Sequence, residues 1–212
     1  LKNWILKYKL SYTAASLAIN ETISISKLYI LYNDWEEVNR RVFEDHFLPK
    51  NKEASSKRIL KEITNRLKNL TQDEVLLLSY SDFLTQKQLC YLGVCKTYRL
   101  IREFMVEVIR NKYQLFDYQI IESDYGSFYY EKSSNHPELE QLGESTQKKL
   151  KQVMFKIMEQ AGIIASAKNR IIQPQHLSEK LVEVIIRDNP DYLKIFLLSD
   201  QQVLQLKTSY AE

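Results

Sequence analysis

Apolar residues recur at helical spacing along most of this chain. Across residues 11–32 they fall at Ala14, Leu17, Ala18, Leu28 and Leu31, which predicts one helix ending near Asn33, although Ile23-Ser-Ile25-Ser alternates like a strand. Asn33 or Asp34 can cap a short second helix through Arg41 and Phe43, with Pro49 closing that region. Ser55 or Ser56 can start a third helix, whose Leu60, Ile63, Leu67 and Leu70 share one stripe. Thr71-x-x-Glu74 has the capping-box pattern: the threonine oxygen accepts from an orphan amide and the glutamate reaches back. It opens a helix over 75–80. Thr85 begins a long helical region carrying Leu89, Leu92, Tyr98, Ile101, Phe104, Met105, Val108 and Ile109, with Gly93 as a break between helices near 86–95 and 97–112.

Residues 113–144 change character. They are rich in Tyr, Ser, Asp and Glu, contain Gly126, Pro137 and Gly143, and read as short helices and loops. Ser145 or Thr146 then starts an amphipathic helix with Leu150, Val153, Met154, Ile157, Met158 and Ala161 on its apolar side, and Gly162 stands where a left-handed C-terminal cap belongs. Two apolar pairs, Ile163-Ile164 and Ile171-Ile172, flank the polar tip Ser166-Ala-Lys-Asn-Arg170 before Pro174, a layout of helix, small β-hairpin and stop. Two more helices are expected over 177–187 and 190–198, Pro190 being acceptable in a first turn. The expected fold is all-α. A multi-helix N-terminal bundle (1–115) is followed by a winged-helix-like C-terminal unit (116–212) that holds one small β-hairpin.

Composition removes several function classes. The four glycines, Gly93, Gly126, Gly143 and Gly162, are too widely spaced for G-x-G-x-x-G or for G-x-x-x-x-G-K-[ST], so the common phosphate cradles of ATPases, kinases and dinucleotide enzymes cannot be written here. The two cysteines, Cys90 and Cys95, match no zinc spacing. At i and i+5 on a helix they point about 140° apart, which disfavours a bridge and indicates buried thiols in a reducing compartment. Apolar runs such as Val75-Leu-Leu-Leu78 and Ile195-Phe-Leu-Leu198 fall far short of the roughly 20 residues of a spanning helix, and no signal-peptide layout is visible. A cytoplasmic protein is the expectation.

Net charge is only +3, but its distribution is uneven. Residues 50–68 set Lys50, Lys52, Lys57, Arg58, Lys61, Arg66 and Lys68 against Glu53 and Glu62, and residues 148–170 set Lys148, Lys149, Lys151, Lys156, Lys168 and Arg170 against Glu159. Two basic segments in a balanced chain suggest nucleic-acid contact. At 100° per residue, Lys57, Lys61 and Lys68 fall on one line with Thr64, about 110° from the leucine stripe, with Arg58 further still from the apolar side. Such a line can follow the phosphates of one strand; a solvated helix face would look the same. On the helix over 145–161, Lys148 and Phe155 point away from the apolar stripe, and an outward Phe suggests a contact. Lys168 and Arg170 sit at the tip of the expected wing, where cations can grip a minor groove or backbone phosphates.

Catalytic and metal-binding patterns are not evident. His46, His136 and His176 lie far apart and form no H-E-x-x-H or H-x-H pair, and no G-x-S-x-G elbow occurs. Asp124 with Glu131-Lys132 resembles a nuclease acid cluster only in outline, because the residue usually found between such a Glu and Lys is missing; these read as surface charges. Most of the 14 tyrosines are expected to pack with their hydroxyls reaching solvent or phosphate.

Two stretches carry a family resemblance. Tyr12-Thr-Ala-Ala-Ser-Leu17 with Asn20-Glu21, and Thr146-Gln-Lys-Lys-Leu150 followed by Glu159-Gln-Ala-Gly-Ile163, Ile172-x-Pro174 and Leu177-Ser, are similar to the BrxA family of bacterial phage-exclusion (BREX) systems, over roughly residues 8–198. The resemblance implies a small helical accessory protein encoded beside a DNA methyltransferase and a large ATPase. It also implies binding to double-stranded DNA and a likeness to helical transcription-antitermination factors. It supplies no catalytic residue. An inner-membrane label that the family has carried conflicts with the short apolar runs.

The reading is therefore a non-enzymatic, cofactor-free protein that binds double-stranded DNA mainly at phosphates. The expected contacts are Lys57, Arg58, Lys61, Arg66, Lys68, Lys148, Lys149, Lys151, Lys168 and Arg170, with other BREX proteins as possible partners. The alternatives are an adaptor between defence proteins, favoured by Phe155 and the Tyr-rich segment 113–130, and an RNA-binding factor.

Overall fold

In the computed structural model, which describes residues 6–44 and 53–210, the helix expected over 11–32 is broken. A 3-10 turn (Ser11–Ala14) is separated from α1 (Ile19–Tyr32) by an extended linker, and Ala18 is left-handed at φ 50°. The break has a cause on the next segment. Arg66 of α3 (Glu53–Leu67) is buried at 2% exposure, and its guanidinium donates to Ser16 O at 2.5 Å and to Ala15 O at 2.7 Å. Carbonyls spent inside a helix could not turn to meet it. The same guanidinium lies 5.6 Å over the Tyr98 ring, and the Tyr98 hydroxyl donates to the buried Glu62 carboxylate.

The other elements are α2 (Trp35–Glu44), α4 (Gln72–Tyr80), α5 (Phe83–Thr97), α6 (Arg99–Glu103), α7 (Arg110–Gln114), α8 (Glu122–Asn135), α9 (Pro137–Glu140), α10 (Glu144–Ala161), α11 (Glu179–Asp188) and α12 (Asp200–Ser209). A second 3-10 segment spans Pro190–Phe196, where an α-helix was expected, and α12 was not anticipated. The capping predictions at Thr71 and Gly162 hold, whereas Ser55, Ser56, Thr85, Ser145 and Thr146, expected at helix starts, lie inside helices that begin at Glu53, Phe83 and Glu144. Thr71 and Glu74 form the reciprocal box, and Gly162, at φ 77°, ends α10 with Ile163 N donating to Met158 O at 2.9 Å. Pro49, His46, Lys50 and Lys52 lie outside the described residues.

Helix α5 is the axis of the molecule. Most of its length is buried, from Thr85 to Thr97, and α1, α3, α4 and α10 all pack on it. Gly93 does not interrupt α5. A Cβ there would stand 3.4 Å from Arg66 O and 3.6 Å from Leu70 Cγ, so the glycine serves the close approach of α3. The break comes at Tyr98, which is extended. One buried ionic group ties α5 to both neighbours: Lys96, 4% exposed, meets Glu74 of α4 at 2.5 Å and Asp188 of α11 at 2.9 Å. Burial pushes the Glu74 carboxyl above the ordinary carboxylate range despite that lysine. Buried apolar side chains from Tyr8 to Val203 form one contiguous core that includes helices on both sides of residue 115.

The helix that starts at α6 passes through a π-helical stretch (Phe104–Ile109) into α7. The extra residue in that turn lets Phe104, Met105 and Ile109 all face inward. Just beyond it, Arg110 Nε donates to Leu198 O at 2.6 Å and Nη2 meets Asp200 at 3.1 Å, fixing the start of α12.

The expected β-hairpin is not formed as strands. The described residues hold only two isolated antiparallel bridges, Ile164 with Ile172 and Gln119 with Ile171. Pairing stops after two residues because the chain turns at once: Arg170 N bonds to Ser166 O, and Arg170 is itself left-handed at φ 49°. The outer edge is taken by 118–120, with Ile172 N donating to Tyr118 O and Ile120 N to Arg170 O.

The Arg66 cluster generates a stability prediction. R66M leaves the inward-turned carbonyls of Ala15 and Ser16 without their donor, and should cost about 3 kcal/mol in urea unfolding. R66K should fall between, since an ammonium cannot fork to both carbonyls as a guanidinium does. Wild-type denaturation midpoints for R66M would contradict the clamp.

Candidate nucleic-acid interface

Helix α3 is enclosed on most sides, and what remains outside is basic. Leu60, Ile63 and Leu67 face the core, Ser56 and Thr64 are also covered, and Glu62 and Arg66 are buried on the opposite flank. Lys57, Arg58, Lys61, Asn65 and Lys68 fall within an arc of about 100°. Lys57, Arg58, Lys61 and Lys68 are exposed. The one carboxylate among the described side chains of this helix, Glu62, is not on that arc. Arg58 and Lys61 meet no acidic side chain among the described residues, and Lys68 Nζ lies 5.5 Å over the Trp35 ring. Arg66 is the correction in this set. It cannot meet a phosphate, because its guanidinium is spent on Ala15, Ser16 and Tyr98.

The second basic segment is more closely neutralised. Lys148 pairs with Glu144 at 2.6 Å and Lys156 with Glu159 at 2.8 Å, while Lys149 reaches only Gln152 Oε1 at 3.3 Å. Lys168 is exposed in the turn and has no acidic partner among the described residues. Lys151 and Arg170, far apart in sequence, are brought together on the Glu122 carboxylate. Phe155 does not point outward, as the helical projection suggested. It is 2% exposed, packed edge-on to Phe104 and beneath the Arg170 guanidinium at 4.4 Å. The Phe104 and Tyr125 rings and the Arg170 guanidinium cover the face that a lone helix would have shown to water.

Helices α3 and α10, which carry the two basic sets, both pack on α5 and on the Ser11–Ala14 turn. Glu122 and the aromatic floor of Phe155 and Tyr125 were missed in the sequence. Their only local sign is the Tyr118-x-Ile120 alternation just before a helix start, which hints that this segment pairs with something.

The remaining candidate chemistry is structural. His136 packs on Tyr8 with tilted rings whose centroids are 4.2 Å apart and contacts Glu138 at 3.0 Å, and His176 is exposed elsewhere. Asp124 pairs with Lys112 at 3.1 Å, and Lys132 pairs with Glu107 at 2.7 Å rather than with Glu131. No group of three or more His, Cys, Asp or Glu side chains is placed to hold a metal ion among the described residues, and no described helix is long and apolar enough to cross a membrane. Tyr12, Tyr91 and Tyr98 are fully buried, exceptions among tyrosines that are mostly half-buried or exposed. A cleft of about 700 Å³ between α4 and α11 is lined by Leu76, Leu77, Tyr80 and Val184 with Asp73 and Arg187 at its edge.

Fold and surface together define an all-helical protein with a cationic helix face. A crystal structure of an uncharacterized protein from Magnetospirillum magneticum shares this fold, with a TM-score of 0.76 at 18% identity, covering 93% of this chain and 99% of that one. A BREX protein BrxA from Bacillus cereus (strain H3081.97) is 28% identical over 150 residues, 70% of this chain and 75% of the relative. The BrxA family model matches residues 6–189, and the chain belongs to the BrxA family.

Cys90 and Cys95 are both free and buried, and burial pushes each thiol up to about 12. Neither should react with a thiol reagent such as DTNB at pH 8 in the native protein, and both should react in 6 M guanidinium. A fast-reacting native thiol would contradict this packing.

Proposed function

We propose that this protein is a component of a BREX-type phage-defence system that binds double-stranded DNA through phosphate contacts and performs no catalysis. The observation that carries the reading is the outer arc of α3, where Arg58, Lys61 and Lys68 stand beside Lys57 and the helix's described carboxylate is turned inward. From Arg58 to Lys68 the arc runs about 15 Å, long enough to follow several phosphates of one strand. Lys149 and Lys168 offer further cations, and the 165–171 turn would act as a short wing beside α10. Contacts of this type release counterions and are largely blind to base sequence. The likeness to a BREX protein BrxA supports the defence setting.

A second reading, an adaptor between defence proteins, is favoured by the α4–α11 cleft and by Leu115 and Phe116, 78% and 79% exposed beyond α7.

The test is duplex binding against salt. Wild-type affinity should fall steeply with ionic strength, and R58A/K61A should weaken binding to unrelated duplexes alike while flattening the log–log slope by about 1.8, two phosphates' worth. Salt-independent binding, or an unchanged slope in the double variant, would overturn the α3 assignment. Stronger competition by single-stranded RNA than by duplex DNA would redirect the reading to RNA.

A further inference from the structure

Glu122 is an exposed carboxylate held by two cations that the protein has already fixed in place. Its side chain is 73% exposed, whereas those of Lys151 and Arg170 are 19% and 24% exposed. Arg170 is positioned without Glu122. Its guanidinium lies 4.4 Å over the Phe155 ring, Nε donates to Ala167 O at 3.1 Å, and its backbone bonds to Ser166 and Ile120. It is held left-handed at φ 49°, a conformation arginine adopts only where the surroundings impose it. Lys151 Nζ likewise lies 5.3 Å over the Tyr125 ring. Each cation takes one oxygen of Glu122: Lys151 meets Oε1, and Arg170 Nη1 meets Oε2 at 3.0 Å.

Two pre-ordered donors sharing the two oxygens of one anion is the way a phosphate would be held. A phosphate offers the same pair of oxygens with greater oxygen density. Glu122 is tied only to the first turn of α8, and ion pairs with so exposed a member are weak, so an arriving anion meets little resistance. Two cations against one acid also leave the group with a net positive charge, and the exposed Lys168 lies two residues from Arg170.

From this geometry we propose that Lys151 and Arg170 form a phosphate clamp for the DNA backbone, occupied in the free protein by Glu122 as an internal substitute that the phosphodiester displaces. The inference rests on the DNA reading above and adds a built-in restraint to it. While Glu122 is seated, encounter relies on α3 and Lys168. Once a phosphate enters, the turn and α10 engage as well. The carboxylate thus sets how much contact a duplex must make before the second surface contributes.

The experiment compares the full chain with E122Q and E122A by fluorescence anisotropy on a 20-base-pair duplex across salt concentrations. Both variants should bind roughly fivefold tighter at low salt, with a slope steeper by about one phosphate. Adding K151A and R170A should abolish the gain. E183Q, which removes the same charge from the partner of Arg187 on α11, should bind like wild type. Equal affinity of E122Q and wild type, a gain that survives K151A/R170A, or an equal gain in E183Q would overturn the clamp. If wild type binds no duplex, the arginine Nε resonance of Arg170 is followed while inorganic phosphate is added. A shift in E122Q exceeding that in wild type would keep the clamp and reject the DNA reading, and no shift in either would reject both.

Discussion

The N-terminal half is organised by one buried guanidinium. A permanent charge in the interior is tolerated only where polar groups surround it, and Arg66 finds them in the carbonyls of Ala15 and Ser16 and in the ring of Tyr98. Meeting that demand divides the first predicted helix, places the Ser11–Ala14 turn between α3 and α10, and brings α3 so close to α5 that Gly93 has no room for a side chain beyond a tight methyl. With three sides of α3 so occupied, only a narrow strip faces water. The basic character of that strip is a by-product of where the acids went: Glu62 was drawn inward to Tyr98.

Local signals were legible where the physics is local. The Thr71–Glu74 box, the Gly162 cap and the apolar stripes of α3 and α10 involve residues within a turn or two of each other, and they were placed correctly from spacing alone. What failed was long-range. Arg66 looks like any surface arginine in a basic run, and nothing near it says that carbonyls 50 residues earlier will turn to meet it. Phe155 projects outward from an isolated helix and is covered because Phe104, Tyr125 and Arg170 come from elsewhere in the chain to lie against it. The apolar pairs flanking Lys168 did mark a reversal of the chain, but not that 118–120 would share the ladder and leave two single bridges.

The same limit applies to the candidate site. The tally of cations in each segment was sound, yet charge along a sequence says nothing about which acids fold back onto it. On α3 the Glu62 carboxylate turns inward, and on α10 Glu144, Glu159 and Glu122 meet Lys148, Lys156 and Lys151. The two basic segments, alike on paper, are therefore different objects: an open face, and a set of neutralised pairs with Lys168 beside it. The BrxA family model spans residues 6–189, and the sequence stretches that carry the resemblance fall on architectural positions, the Ser11–Ala14 turn, α10 and its Gly162 cap.

The π-helical stretch at Phe104–Ile109 has an evolutionary corollary. Such a turn amounts to a single-residue insertion absorbed into a helix, and its effect is to rotate everything downstream by about 100°. Here the rotation aims Arg110 at Leu198 and Asp200. A descendant that lost one residue there would regain an uninterrupted helix and simultaneously misalign the latch on the C-terminal segment. Indels in that window should therefore be tolerated only together with compensating change at Asp200.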